Sequence, residues 1–462
     1  MNSDANISPQ LLPTAKELRA SKEELGTSEA LSQLLALFDD GTFVETGSYV
    51  KRKFSELAPL SGSEYEGVIC GYGSIDGALV FAFAQDIARL SGALDEMHAK
   101  KIAALYDLAL KARAPLIGIF DSTGLNIRDG ISALSAYGSV LSSVANASGK
   151  IPQIALILGE CRGIFAGAAS MFDFIVREKH SVFEAVAEDK PPLWSYSAKD
   201  RFGGVSYIRE LLAFLPSNAE GAYDPQESAD SLNRRLPIPE NVGDAKQLIS
   251  LVADNAIYTE VYSDEAPEAA TVFMQLAGVK CGAIVSSYSE NKGRLTPRGA
   301  RKLSKFISFC SRYSIPILTV VNSAGLAPAD NESFASLIGE LSLAYAASSV
   351  PKVTLILGKA IGASAVLLGS KSLGADIVYA LEDAEIGALP TSSSVAFAWN
   401  ESITTALPRE ELEKEWRKSL ASPVAAASLG EVDDIIAFPD IRKRLASALL
   451  MLTVNRTATE PR

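Results

Sequence analysis

The chain carries two copies of one sequence pattern, and no other feature limits its possible folds as strongly. The segment AKKIAALYDLALKARAPLIGIFDSTG, which ends at Gly124, matches GARKLSKFISFCSRYSIPILTVVNSAG, which ends at Gly325, at an offset of 201 residues. Further along, KIPQIALILGECRG matches VPKVTLILGKAIG, which aligns Gly163 with Gly362 at an offset of 199. An offset held over about 100 positions predicts two copies of one domain, because solenoids repeat at much shorter periods.

Each copy has the alternating strands and helices of an α/β domain. An amphipathic helix is predicted over Asp95–Lys111 from apolar residues at helical spacing, namely Ile102, Leu105, Leu108 and Ala109. Apolar runs predict buried strands at Pro115–Phe120 and Gln153–Leu158, with counterparts at Pro316–Val321 and Lys352–Leu357. Such nearly continuous apolar strands, separated by helices, indicate parallel sheets covered by helices.

The two copies are separated by a segment rich in Pro, Gly, Asn and Asp, between about Lys190 and Thr271. Composition of this kind marks loops and linkers. We therefore predict an N-terminal domain over residues 1–230 and a C-terminal domain over residues 231–462.

The composition argues against several kinds of site. Only two histidines occur, so multi-histidine zinc sites and histidine-dependent triads are disfavoured, and no metal is expected. The formal net charge of −12 opposes nucleic-acid binding. Four scattered cysteines without a CxxC pair predict reduced, buried thiols, as in a cytoplasmic protein. No apolar run approaches the ~18 residues of a membrane span.

Two glycine-bearing turns are the strongest candidates for a functional site. GECRGIFAG (159–167) and GKAIGASA (358–365) each follow a predicted buried strand and begin a helix of small residues. Such a turn presents backbone N–H groups that suit an oxyanion, for example a thioester enolate. The alternative is that the small residues only allow close packing, but equivalent turns in both copies favour function.

The side chains offer no clear acid–base pair. Asp121 follows a buried strand and aligns with Asn322, which favours a shared polar cap on the following loop. We interpret Glu160 and Glu385 as structural, and His98 as packed or solvent-facing. Cys161, with no histidine nearby in the sequence, is interpreted as a small buried apolar residue. Backbone stabilisation of charge is therefore favoured over side-chain proton transfer.

Residues from about 30 to 455 resemble the biotin-dependent acyl-CoA carboxyltransferases. The resemblance lies in GYGSIDGALVFAFAQD and ASGKIPQIALILGECRGIFAGAASMFDFIV of the first copy, and in VPKVTLILGKAIGASA and SKSLGADIVYALEDAEIGAL of the second. The family includes the carboxyltransferase subunits of propionyl-CoA carboxylase and the α-subunits of methylmalonyl-CoA and glutaconyl-CoA decarboxylases. The resemblance implies an α/β fold of two tandem crotonase-like (ClpP/crotonase) domains of ββα repeats.

The resemblance also implies roles for the two turns. Gly163 and Ile164 would hold the thioester oxygen of an acyl-CoA, and Gly362 and Ala363 would hold the ureido oxygen of biotin. The implied cofactor-binding residues are Gly362, Ala363, Gly325, Gly124 and Gly92. Biotin would arrive on a separate carrier protein, with a biotin carboxylase or a membrane decarboxylase subunit as a further partner. Family members usually form hexamers, as trimers of dimers, in which acyl-CoA meets biotin between subunits; a hetero-oligomer is the alternative.

Several family positions differ in this chain. Ile164 stands where a second glycine is usual, DSTGLN at Asp121–Asn126 replaces DSGGAR, and LSGA at Leu90–Ala93 replaces FGGS. The favoured function is carboxyl transfer between carboxybiotin and a short acyl-CoA. Alternatives are the reverse reaction in a decarboxylase, a non-catalytic structural paralogue that assembles with an active carboxyltransferase, and a CoA-thioester hydratase or hydrolase.

Overall fold

The computed structural model describes residues 13–52, 65–186, 192–220, 228–328 and 334–454. The chain divides into two compact units. The first unit comprises Met1–Ala147, Gln153–Phe172 and His180–Lys190, and the second comprises Ser148–Pro152, Asp173–Lys179 and Pro191–Arg462. The domain boundary after residue 230 stays a prediction.

Strands and helices alternate along both units. The strands are β1 (Val44–Thr46), β2 (Val68–Ile75), β3 (Ala78–Gln85), β4 (Leu116–Ser122), β5 (Gln153–Arg162), β6 (Phe174–Glu178), β7 (Val182–Glu184), β8 (Tyr196–Ala198), β9 (Tyr258–Val261), β10 (Ala269–Leu276), β11 (Val279–Ser286), β12 (Ile317–Ser323), β13 (Lys352–Ile361), β14 (Ile377–Leu381), β15 (Glu385–Gly387) and β16 (Asp434–Ile436). The helices are α1 (Ala15–Glu23), α2 (Glu29–Leu37), α3 (Glu96–Ala112), α4 (Ile131–Ala147), α5 (Ile164–Ser170), α6 (Arg201–Leu212), α7 (Ala245–Val252), α8 (Pro297–Arg312), α9 (Phe334–Ala347), α10 (Ala363–Leu367), α11 (Thr391–Ala398), α12 (Arg409–Leu420), α13 (Pro423–Ser428) and α14 (Ile441–Thr453).

The sheets of the two units have the same local topology. In the first unit the order is β1-β2-β3-β4-β5, with β7 beside the end of β5. In the second it is β9-β10-β11-β12-β13-β14-β16, with β15 beside the end of β13. The β2–β3 and β10–β11 pairs are antiparallel hairpins, whereas β3, β4 and β5, like β11, β12 and β13, run parallel. The predicted α/β class with parallel sheets is confirmed.

Helix α3 illustrates how sequence and packing agree. Asp95 caps its N-terminus, and one carboxylate oxygen accepts from the N–H groups of Met97 and His98 at 2.8 and 2.9 Å. The predicted apolar stripe is buried at Ile102, Leu105 and Ala109, but Leu108 is 41% exposed. The predicted amphipathic helix is confirmed, and Leu108 lies at the edge of its apolar stripe, outside the buried face.

The predicted buried thiols are confirmed, since all four cysteines are free and buried. Among the described residues, no helix has both the length and the apolar character needed to cross a membrane.

Gly92 is required by a close approach of two backbone segments. Its φ is +65°, and a Cβ placed on it would lie 2.1 Å from the carbonyl oxygen of Asp121. Gly293 of the second unit is in the same position, with φ +62° and an added Cβ 2.2 Å from the Asn322 carbonyl oxygen. In both cases the obstructing atom is a backbone oxygen, which cannot move aside as the end of a flexible side chain can. Only glycine therefore fits at these two positions.

We predict that Gly92→Ala destabilises the protein by about 2–4 kcal/mol, because strain at positive φ adds to a backbone clash. Gly77→Ala is the matched control: its φ is +81°, but no atom lies within 4 Å of an added Cβ. The control should lose only about 1 kcal/mol. Urea midpoints measure both effects, and equal losses would contradict the importance of the Asp121 contact.

Candidate active site

The two predicted turns have nearly the same backbone geometry. Gly163 directly follows β5 and has φ 60° and ψ −134°. Gly362 directly follows β13 and has φ 61° and ψ −141°. Each glycine is the N-cap of the short helix that follows. Residues with a side chain rarely adopt this conformation, so glycine is needed here for shape.

The N–H of each glycine is used within the sheet. Gly163 N–H donates to the carbonyl oxygen of Glu184 on β7 at 2.9 Å, and Gly362 N–H donates to that of Gly387 on β15 at 2.8 Å. The glycines therefore shape the turns, while the N–H groups that remain for a ligand belong to the residues that follow them.

In the first unit the donor that remains is Ile164 N–H, which donates to no atom of the described residues. The next residue, Phe165, is fully buried, and Ala166 N–H returns to the Gly163 carbonyl at 3.1 Å. The Ile164 residue is 38% exposed. Ile164 thus combines an N–H without an acceptor in the described structure with a partly exposed residue at the start of the helix.

The second unit repeats this arrangement. Within the described parts of the chain, Ala363 N–H has no acceptor, and Ala365 N–H returns to the Gly362 carbonyl at 3.1 Å. Ser364 is fully buried, and its hydroxyl donates to the Ile361 carbonyl at 2.8 Å. Ala363 is the small, partly exposed residue at the start of the helix.

The loops that contain Gly124 and Gly325 approach these turns. The two glycines have φ values of +113° and +117°, and added Cβ atoms would lie 3.5 Å from the Arg162 carbonyl and 3.6 Å from the Ile361 carbonyl, respectively. The predicted glycines Gly124 and Gly163 are thus neighbours in one unit, and Gly325 and Gly362 in the other. Gly92 lies instead against the Asp121 backbone.

Asp121 and Asn322 play the same part in their units. Asp121 Oδ1 accepts from Glu160 N–H at 3.0 Å, and Asn322 Oδ1 accepts from Lys359 N–H at 3.0 Å. Each side chain thus supports the neighbouring strand just before its glycine turn, rather than the loop after its own strand as the sequence predicted. Burial raises the pKa of the Asp121 carboxyl above its usual value.

Charged side chains connect the strand ends beside each turn. Arg162 donates to Glu160 at 2.8 Å and to Glu184 at 2.7 Å, and Arg162 lies opposite Glu184 in the β5–β7 register. In the second unit Lys359 and Glu385 are 3.6 Å apart, and Glu385 also accepts from Thr391 N–H at 2.9 Å. Glu160 and Glu385 therefore have structural partners. The Arg162 pairing is not predictable from the sequence, because β7 carries no recognisable strand pattern.

His98 is buried inside the first unit, at 1% exposure. Its Nδ1 lies 3.1 Å from Glu66 Oε1, and its Nε2 lies 3.2 Å from the side-chain nitrogen of Gln85. Gln85 Oε1 in turn accepts from Asp121 N–H at 3.3 Å. His98 thus belongs to a buried hydrogen-bond chain that leads to Asp121.

Cys161 is fully buried, and burial raises the pKa of its thiol, so the thiolate needed for nucleophilic attack is disfavoured. In the part of the chain that the structure describes, no group of three or more His, Cys, Asp or Glu side chains is arranged to hold a metal ion.

The hydroxyl of Tyr137, which no sequence motif marks, also lies near the first turn. Added Cβ atoms on Gly124 and Gly163 would lie 3.5 and 3.9 Å from the Tyr137 hydroxyl oxygen. Alignment of the two copies could have drawn attention to Tyr137, because the residue 201 positions later is the apolar Ile338, so the hydroxyl is present in only one copy.

Comparison with known proteins identifies the family. The family model for the "Carboxyl transferase domain" matches residues 22–185 and 193–462, which include both turns.

The chain belongs to the carboxyl transferase family.

Members of the family with similar sequences cover nearly the whole chain. The methylmalonyl-CoA decarboxylase α-subunit of Veillonella parvula is 33% identical over 96% of this chain and 94% of its own length. A putative propionyl-CoA carboxylase β chain of Bacillus subtilis is 32% identical over 97% of this chain and 94% of its own length. The chain is thus an enzyme of the biotin-dependent acyl-CoA carboxyltransferase class, and that prediction is confirmed.

A solved structure of the transcarboxylase 12S hexamer, with methylmalonyl-CoA and methylmalonic acid bound, is similar throughout. It matches with a TM-score of 0.85 and 26% identity, over 96% of this chain and 94% of that chain. The predicted pair of crotonase-like domains in this carboxyltransferase is confirmed by that likeness.

We predict that Asp121→Ala destabilises the protein by about 1–3 kcal/mol, because Glu160 N–H loses its acceptor. Asp121→Asn copies the second unit and should retain the bond. Because the folded state raises the Asp121 pKa, wild-type stability relative to Asp121→Asn should fall as the pH rises through that pKa. Unfolding midpoints between acidic and neutral pH measure this, and a difference that grows in the opposite direction would contradict it.

Proposed function

We propose that the first unit holds the acyl-CoA thioester and that the second holds carrier-bound biotin, for carboxyl transfer involving a short acyl-CoA. The observation that supports this assignment most strongly is the pair of equivalent turns, in each of which the N–H after a hydrogen-bonded glycine donates to no described residue. The names of the relatives include both carboxylases and decarboxylases of short acyl-CoA substrates.

Ile164 N–H is the proposed donor to the thioester oxygen. Negative charge develops on this oxygen when the α-carbon gains or loses a carboxyl group, and a fixed donor stabilises it without reorganisation. Gly163 contributes the turn conformation, and Gly124 contributes close backbone approach. The Ile164 side chain, in place of the second glycine usual in the family, narrows the pocket and favours a small acyl group.

Ala363 N–H is the proposed donor to the ureido oxygen of biotin, which supplies or accepts the carboxyl group when bound. The residues fit this role, since Ala363 combines a free N–H with a small side chain. Gly362 shapes this turn, and the positive φ of Gly325 supports the adjoining loop. Gly92 acts indirectly, because it allows the loop between β3 and α3 to pack against the Asp121 backbone.

The proposed setting is the cytoplasm, with a biotin carboxyl carrier protein and either a biotin carboxylase or a membrane decarboxylase subunit as partners. The buried, reduced cysteines are consistent with that compartment. The hexamer described for transcarboxylase 12S supports a homo-oligomeric arrangement for this chain, as a trimer of dimers. The domains proposed for the two roles are residues 1–230 and 231–462.

We predict that Ile164→Pro lowers the turnover number by about 100-fold, as expected for loss of one oxyanion donor. Ile164 is the first residue of α5, where proline is tolerated and removes the N–H together with the isoleucine side chain. Ile164→Ala keeps the N–H and is the control. The assay is transfer of a labelled carboxyl group between methylmalonyl-CoA and a biotinylated carrier protein, with circular dichroism to verify folding. A folded Ile164→Pro variant with wild-type turnover would refute the donor assignment.

Ala363→Pro tests the second turn by the same logic, because Ala363 is the first residue of α10. We expect a loss of carboxyl transfer of about 100-fold, with the affinity for acyl-CoA unchanged. Ala363→Ser keeps the N–H and serves as the control. Isothermal titration with acyl-CoA measures binding in each variant. Weakened acyl-CoA binding in Ala363→Pro would place the acyl-CoA at the second turn instead, and normal carboxyl transfer in a folded variant would refute the donor assignment.

A further inference from the structure

The hydroxyl of Tyr137 lies where two proposed substrate-facing segments of the first unit converge. Tyr137 is on α4 and is 3% exposed. Its hydroxyl oxygen would be 3.5 Å from a Cβ on Gly124 and 3.9 Å from a Cβ on Gly163. Gly163 directly precedes Ile164, so the hydroxyl is next to the turn that carries the free N–H.

This hydroxyl makes no hydrogen bond with the residues that the structure describes. Other buried tyrosines do: Tyr106 donates to Gln153 Oε1 at 2.9 Å, and Tyr313 donates to the Ile151 carbonyl at 2.7 Å. The Tyr137 oxygen is not among the unpaired side-chain atoms that are fully shielded from solvent in the described structure, so it reaches the surface of the unit, where a ligand can contact it. An unpaired hydroxyl beside a free N–H therefore points to a ligand oxygen as the shared partner.

The proton of Tyr137 stays in place at neutral pH. Burial raises the pKa of Tyr137 to about 12, so the side chain is a neutral hydroxyl that is able to donate. A neutral donor stabilises developing negative charge on an oxygen without itself losing a proton.

The fold does not need this hydroxyl. The ring of Tyr137 packs against Phe165, with ring centroids 5.7 Å apart. The counterpart of Tyr137 in the second unit is Ile338, an apolar residue, as the alignment of the buried residues Val140 and Leu341 shows. A purely apolar side chain is thus accepted at this position in the other copy of the domain.

We propose that Tyr137 is a further catalytic residue, whose hydroxyl donates to the same thioester oxygen as Ile164 N–H. This inference rests on the proposed function of the first turn. Two donors from different elements, α4 and the start of α5, then contact one oxygen, and both hydrogen bonds strengthen as that oxygen gains charge.

Tyr137→Phe tests the proposal, because it removes only the hydroxyl and keeps the ring packed on Phe165. We expect the turnover number to fall by about 10–100-fold, with KM for acyl-CoA changed by less than about threefold. The melting temperature should not fall, since the hydroxyl has no partner among the described residues. Tyr106→Phe is the matched control: it removes a hydroxyl that is bonded to Gln153 in the same unit, so it should lower stability and preserve turnover. Wild-type turnover in Tyr137→Phe would overturn the proposal.

A binding measurement tests the same hydrogen bond without catalysis. Wild type should bind propionyl-CoA more tightly than the thioether analogue that lacks the carbonyl oxygen. Tyr137→Phe should narrow this difference by about twofold, in line with the small change expected in KM, while Tyr106→Phe leaves it intact. An unchanged difference in Tyr137→Phe would overturn the assignment of the hydroxyl. If Tyr137→Phe narrows the difference but wild type transfers no carboxyl group, the proposed function fails and the hydroxyl contact stands.

Discussion

The bond between Gly163 N–H and the Glu184 carbonyl determines the geometry of the first turn. It holds the end of β5 to the short strand β7, at a backbone conformation that only glycine adopts readily. Because this N–H is used within the sheet, the chain turns immediately into α5, and Ile164 N–H is left without a partner in the described structure. Gly362 and Gly387 make the same bond in the second unit. The free donor is thus the first N–H of a helix whose start is positioned by sheet pairing.

The two units share this backbone hydrogen bond and glycine turn, and they differ in the side chains around the turn. Asp121 and Asn322 both support the neighbouring strand, although one is a carboxylate and the other an amide. Arg162 lies between two glutamates, whereas Ile361 occupies the corresponding position in the other unit. Tyr137 and Ile338 differ in the same way. The side chains around the two turns thus differ while the backbone of the turns is unchanged.

The fold could be predicted from the sequence because the same pattern of strands, helix and glycine turn occurs in it twice. Two buried strands, a helix and a glycine turn recur at nearly constant offsets, so a pattern that is ambiguous once becomes reliable when it is found twice. The same repetition located Gly163 and Gly362, and the family resemblance added Ile164 and Ala363.

The sequence was not sufficient to predict which N–H groups remain free. That depends on strand β7, which has three residues and no distinctive pattern, and on its register with β5. Likewise, Leu108 has the apolar character of a buried residue, and only the packing of α3 decides that it is exposed. The surroundings of the Tyr137 hydroxyl depend on two loops that are distant in the sequence, so local patterns carry no information about them.

The use of main-chain donors has a consequence for how this protein tolerates mutation. Every amino acid except proline retains the N–H at residues 164 and 363, so most substitutions there change the walls of a pocket without deleting its polar contact. Catalytic side chains have no such redundancy. On the proposed assignment, Ile164 in place of a glycine therefore keeps the donor and changes only the shape of the acyl pocket.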